Sequence, residues 1–164
     1  MLMPTLPFQI EDAQNEIIIE VPGKPISQGS LTTFRSKSTG RMISPNPKNL
    51  TDWRGKIAFF AMQEMRESEL YMAEKGTPVV VSATFVFERP KNHYRTGKYS
   101  DVLKPSAPDA YYHTQAPDLD KLIRAVLDAL SGVAYHDDSQ VFCIARTFKM
   151  WSKYPPRAFI RVGW

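Results

Sequence analysis

The chain has 164 residues, 43% of them hydrophobic and 23% charged, with a net charge of +4. That length and apolar share suit one domain with a genuine core and exclude wholesale disorder. The single cysteine, Cys143, excludes a disulfide framework and paired-thiolate zinc sites, and His93, His113 and His136 show no HExxH or HxxxH spacing.

Residues 1–15 read as a loose tail ahead of a single domain spanning 16–164. Met1–Glu16 has no basic flank and carries Glu11 and Asp12, unlike a secretory leader. The uncharged run Pro78–Phe87 is about half of the roughly 20 residues a membrane helix needs. These features predict a soluble cytoplasmic protein.

Glu16–Val21 (EIIIEV) is β-branched and ends at Pro22-Gly23, which predicts a first strand. Lys24–Lys48 is dense in Ser, Thr, Gly and Pro and reads as a long mobile loop or hairpin; connections of this length tend to be functional or disordered. A helix capped by Asn49 or Thr51 is expected to run to about Tyr71, because Trp53, Ile57, Phe60, Ala61 and Met65 recur every three or four residues. Thr77–Glu88 reads as a strand with Val79, Val81, Ala83, Phe85 and Phe87 on one face. Arg89–Ala116 reads as loop. A second helix follows, with Asp118 at its N-cap, an apolar face of Leu119, Leu122, Ile123, Val126, Leu127 and Leu130, and Gly132 as C-terminal cap. Gln140–Lys149, which places Cys143 as a buried small hydrophobe, and Ala158–Val162 read as closing strands. The order predicts an α+β domain, a small mixed sheet with two main helices packed on it.

The charge is unevenly distributed. Lys24, Arg35, Lys37, Arg41, Lys48, Arg54 and Lys56 face one acid, Asp52, in the first basic stretch. Arg89, Lys91, Arg95, Lys98 and Lys104 face Asp101 in the second. Such loops, interleaved with Phe34, His93, Tyr94 and Tyr99, suit a phosphate backbone with bases or sugars nearby, although basic loops also merely keep small domains soluble.

Acids gather later in the chain. Asp118 and Asp120 converge near the start of the second helix, where their repulsion calls for a cation. The helix N-terminus supplies part of it, and Mg²⁺, which takes hard oxygen ligands, supplies more. The second doublet, Asp137-Asp138, can reach the same place if Ser131–His136 runs back along the helix; neighbours in an extended segment face opposite ways, so one of the two joins the cluster. The blander reading makes Asp118 a cap and pairs Asp120 and Asp128 with Arg124.

The run Asp118-Leu119-Asp120-Lys121-Leu122-Ile123-Arg124, then Leu127-Asp128-Ala129-Leu130, then Asp137-Asp138-Ser139-Gln140-Val141, resembles the RusA family of Holliday junction resolvases. Its pattern is a D-x-D-N-L-x-K-like helix start, an L-D-A-L helix end and a D-D-x-Q-V strand entry. Glu16–Ser30 is similar to the family's opening strand and loop; the likeness is weakest between Arg89 and Ala116. The resemblance implies Asp118, Asp120 and Asp138 as catalytic metal ligands for Mg²⁺, with Mn²⁺ able to substitute. It places Arg124 where the family has a lysine, so that Arg124 stabilises charge without serving as a proton donor. Lys121 stands in place of the family's asparagine. Lys149 falls in the strand where the family tends to place a lysine, and is expected to touch phosphate.

It also implies a homodimer cutting branched DNA, four-way junctions above all, in recombination and repair, and commonly a phage or prophage source. On this reading Lys24, Arg35, Lys37, Arg41, Lys91, Arg95, Lys98, Lys121 and Lys149 contact DNA. The first helix around Trp53 and Phe60 and the strand at 79–87 are candidate dimer faces, and Phe142, Trp151 and Tyr154 candidate junction wedges. Rival readings are a non-catalytic branched-DNA-binding protein, a D-x-D nucleotide-sugar transferase, and a nuclease of broader specificity.

Overall fold

The central strand opens on three consecutive valines, Val79, Val80 and Val81. In a computed structural model, which describes residues 13–29, 34–35, 42–43, 48–109 and 111–164, β4 (Val79–Glu88) lies inside a four-stranded sheet. β1 (Glu16–Pro22), β5 (Val141–Ser152) and β6 (Arg157–Gly163) complete it in the order β1-β6-β4-β5. β4 pairs antiparallel with β6 and parallel with β5, so the sheet is mixed. A short antiparallel pair, β2 (Phe34–Arg35) and β3 (Met42–Ile43), lies within the segment expected to be a loop or hairpin. The tail at 1–12 lies outside the described residues. Among the described residues no helix is long and apolar enough to cross a membrane.

α1 (Lys48–Glu67) buries Leu50, Trp53, Ile57, Ala61 and Met65, the expected stripe with Leu50 added and Phe60 only half-buried against it. It stops about one turn before Tyr71. Leu70 N–H bonds to Met65 O and Glu69 N–H to Arg66 O, while Glu69 takes φ +54°. This is a left-handed helix end built without the usual glycine, so composition gave no sign of it. Trp53 and the β4 face at 79–87 are core, whereas Phe60 is half-buried and Phe59 and Met62 are exposed on the same helix.

α2 (Leu119–Leu130) packs Leu122, Ile123, Val126 and Leu130 into the same core. Each contributes about 1.5–3 kcal/mol by leaving water. A parallel strand pair needs a crossover, and α2 supplies it between β4 and β5. The path after α2 differs from expectation. Ser131–His136 folds into a tight turn at the helix end, with Gly132 at φ +77°, Ala134 N–H on Leu130 O and the buried Tyr135 hydroxyl donating to Leu127 O. The chain then runs back along the helix as β5. Among the described residues it is β5, through Lys149, that returns to the start of α2, while the acidic doublet follows the turn at the far end.

Within β5, Arg146 has φ +39° and the register against β4 slips between Ser82 and Thr84, a bulge. Cys143 is half-buried at this edge strand rather than enclosed in the core. Trp151 is buried, while Phe142 and Tyr154 are exposed.

Candidate metal and nucleic-acid site

The start of α2 is fixed from two sides. Lys149, on the returning strand, donates to Gln115 O and, at 2.5 Å, to Pro117 O. Two carbonyls hold its ammonium, so Lys149 anchors the segment leading into α2. On the other side, Gln28 N–H bonds to Lys121 O at 2.9 Å, and Arg54 bridges Gln28 to Asp128. The Arg54–Asp128 pair joins residues 74 apart in sequence and had no local signal. It also takes Asp128 away from the expected partnership with Arg124.

Asp118 sits at the N-cap position, and its carbonyl accepts from Leu122 N–H, but its carboxylate makes no capping bond. It turns instead to the Lys121 ammonium at 2.7 Å. Hydrogen bonding and charge from Lys121 hold Asp118 below the usual carboxylate range, and Asp118 in turn raises Lys121. Asp120 is exposed in the first turn, and Arg124 is exposed one turn later. Among the described residues no ion pair links Arg124 to Asp120 or Asp128.

At the other end of α2, roughly 18 Å away for a helix of this length, the two aspartates of the doublet do different work. Asp137 caps a 3-10 turn, Asp138–Gln140: its carboxylate accepts from Ser139 N–H, and the Gln140 side chain accepts from Asp137 N–H. Gln140 also donates to Glu74 O and Thr77 O, tying the turn to the approach to β4. Asp138 is exposed, and its charge, after burial, adds to the upward shift of the Tyr135 hydroxyl. Among the described residues no three His, Cys, Asp or Glu side chains lie close enough to hold one ion. Asp118 and Asp120 offer the hard oxygen donors that suit Mg²⁺, but one chain does not bring Asp138 to them.

The expected DNA contacts divide. Lys24 lines a cavity of about 370 Å³ with Ser27, Asn49 and Pro117, beside the start of α2. Lys91 and Arg95 line a second, of about 580 Å³, with Tyr94 and Lys153. Lys153 was not foreseen. Lys98 lies over the Tyr99 ring. Lys37 and Arg41, and the Arg35 side chain, lie outside the described residues. Arg89 also lines the second cavity; it is buried and donates to Pro108 O and Asp109 O, and Asp109 accepts from Tyr111 and Tyr112 N–H. His113 is buried and stacks on Trp151 at 3.8 Å. Desolvation, then Lys149, lower its pKa.

No curated protein matches the chain in sequence. The family model described as endodeoxyribonuclease RusA matches residues 22–163, which takes in β4–β6, both helices and both acidic ends. By that match the chain belongs to the RusA endodeoxyribonuclease family.

Proposed function

We propose that the protein is a Mg²⁺-dependent, structure-selective endonuclease that resolves four-way DNA junctions by hydrolysing two symmetric phosphodiesters. The observation that carries this reading is the Asp118–Asp120 pair, set at the exposed start of α2 and released from capping, in a chain of a nuclease family. Asp118, Asp120 and Asp138 would hold the metal, which when bound acidifies a water and draws charge from the scissile phosphate. Arg124 offsets negative charge on that phosphate; its guanidinium stays protonated, so the leaving oxygen takes its proton from water. Lys24 at one cavity and Lys91, Arg95 and Lys153 at the other hold the backbone of the arms.

The working unit of this reading is a homodimer. Since one chain holds its acids at opposite ends of β5, a second chain is the source of the third carboxylate. β5 is an edge strand, with Phe142, Ile144 and Phe148 exposed along it. Tyr111–His113 bonds to Lys149 and Trp151 and so covers the last third of the strand. The bulge at Arg146 blocks an unbroken ladder, so the exposed side chains would carry the contact. Two such strands related by a two-fold axis perpendicular to them run antiparallel. The start of one, with its Asp138, then lies beside the end of the other, where Lys149 holds Pro117.

The test is Asp120→Asn assayed on a four-way junction in Mg²⁺. Cleavage is expected to vanish while binding stays equal or tightens, because a negative charge near phosphate is gone. Cleavage at the wild-type rate overturns the assignment. A non-catalytic branched-DNA-binding protein would also keep its acids apart in each chain; it predicts no nicked product from wild type and binding indifferent to Mg²⁺.

A further inference from the structure

Lys121 occupies the place where a metal would draw on Asp118. Its ammonium lies 2.7 Å from Asp118 Oδ2, and both side chains are substantially exposed, 41% and 58%. A pair this exposed is weak and exchanges readily, and a lysine head leaves on its flexible stem without moving the helix. The Lys121 backbone is held: its carbonyl accepts Gln28 N–H, from the loop that carries Lys24 to its cavity. Lys121 is therefore tied through its backbone to the loop that lines this cavity, while its ammonium is paired with Asp118 alone among the described residues.

We infer that Lys121 is a built-in counter-ion, pairing with Asp118 in the DNA-free protein and moving to a backbone phosphate when DNA arrives, which frees Asp118 for the metal. This rests on the metal-dependent reading above. Its consequence is coupling: metal and junction each raise the affinity for the other by the same factor, as linkage requires. Without DNA the protein holds metal poorly, so water activation waits for substrate.

The experiment measures free Mn²⁺ by electron paramagnetic resonance against wild type, Lys121→Gln, Lys121→Arg and Asp120→Asn, with and without a four-way junction carrying non-hydrolysable phosphorothioates at the cut. Removing one positive charge at this separation is expected to tighten DNA-free Mn²⁺ binding about three- to tenfold in Lys121→Gln. Lys121→Arg should behave as wild type. The junction should tighten Mn²⁺ binding to wild type by a larger factor than to Lys121→Gln. Equal DNA-free affinity in wild type and Lys121→Gln, with Asp120→Asn binding more weakly, overturns the exchange and leaves the metal site standing. Mn²⁺ binding by wild type no better than by Asp120→Asn overturns the metal reading and this inference with it.

Discussion

The two ends of α2 carry the same kind of residue and use it differently. At the start, Asp118 holds a capping position without capping, and Asp120 is exposed in the first turn. At the far end, Asp137 is committed to the turn through Ser139 N–H, and only Asp138 is left exposed without that duty. A carboxylate bonded to backbone N–H serves the fold, whereas one held near another acid serves the fold poorly and is available for a cation. Within the doublet, Asp137 is the capping residue and Asp138 carries no capping bond. The alternation of an extended segment predicted that one member would join the acids at the start of α2; among the described residues no such group of three forms.

The largest effects separate the members of the doublet. Asp138→Asn is expected to lower the cleavage rate by about a thousandfold or more, the scale of losing a charge-stabilising group, with an unchanged melting temperature. Asp137→Ala should retain cleavage and lose about 1 kcal/mol of stability, the cost of a cap, read by denaturant unfolding. Reversed results would exchange their roles. Mixing inactive Asp120→Asn with inactive Asp138→Asn comes next. If the third carboxylate arrives from a second copy, exchanged dimers regain one intact site, up to about a quarter of the wild-type sites, seen as nicked junction. No recovery after subunit exchange would place all three acids in one chain.

Smaller effects probe the start of α2. Lys149→Met removes the anchor on Gln115 O and Pro117 O, and misplacing Asp118 should cost about 10- to 100-fold in cleavage, while salt dependence of junction binding stays the same. A shallower salt slope would instead make Lys149 a phosphate contact. The smallest effect is one of pH. His113 titrates below its ordinary value of about 6.5, because burial disfavours its charged ring and Lys149 and Arg89 repel it. Below that pH the unfolded chain takes up a proton that the folded chain resists. Stability should therefore be level above about pH 6.5 and fall as the solution is acidified through and below it. His113→Phe should flatten that decline in thermal melts.

Periodicity alone specified both helices and the main strands, because a buried stripe every three or four residues, or a β-branched run, leaves the chain few other ways to hide apolar surface. The family-like motif pointed to the nuclease class, and to Asp118, Asp120 and Asp138, from spacing within about twenty residues. What only the tertiary structure decided were relations between distant segments. It showed that β5, rather than Ser131–His136, runs back to the start of α2, and that Lys149 turns inward to carbonyls. It also showed that Asp128 belongs to Arg54. Hydrophobic patterning is written locally, so it can be read along the chain. Polar partners are chosen by whichever donor or acceptor the packed elements bring within 3 Å, and no local spacing records that choice.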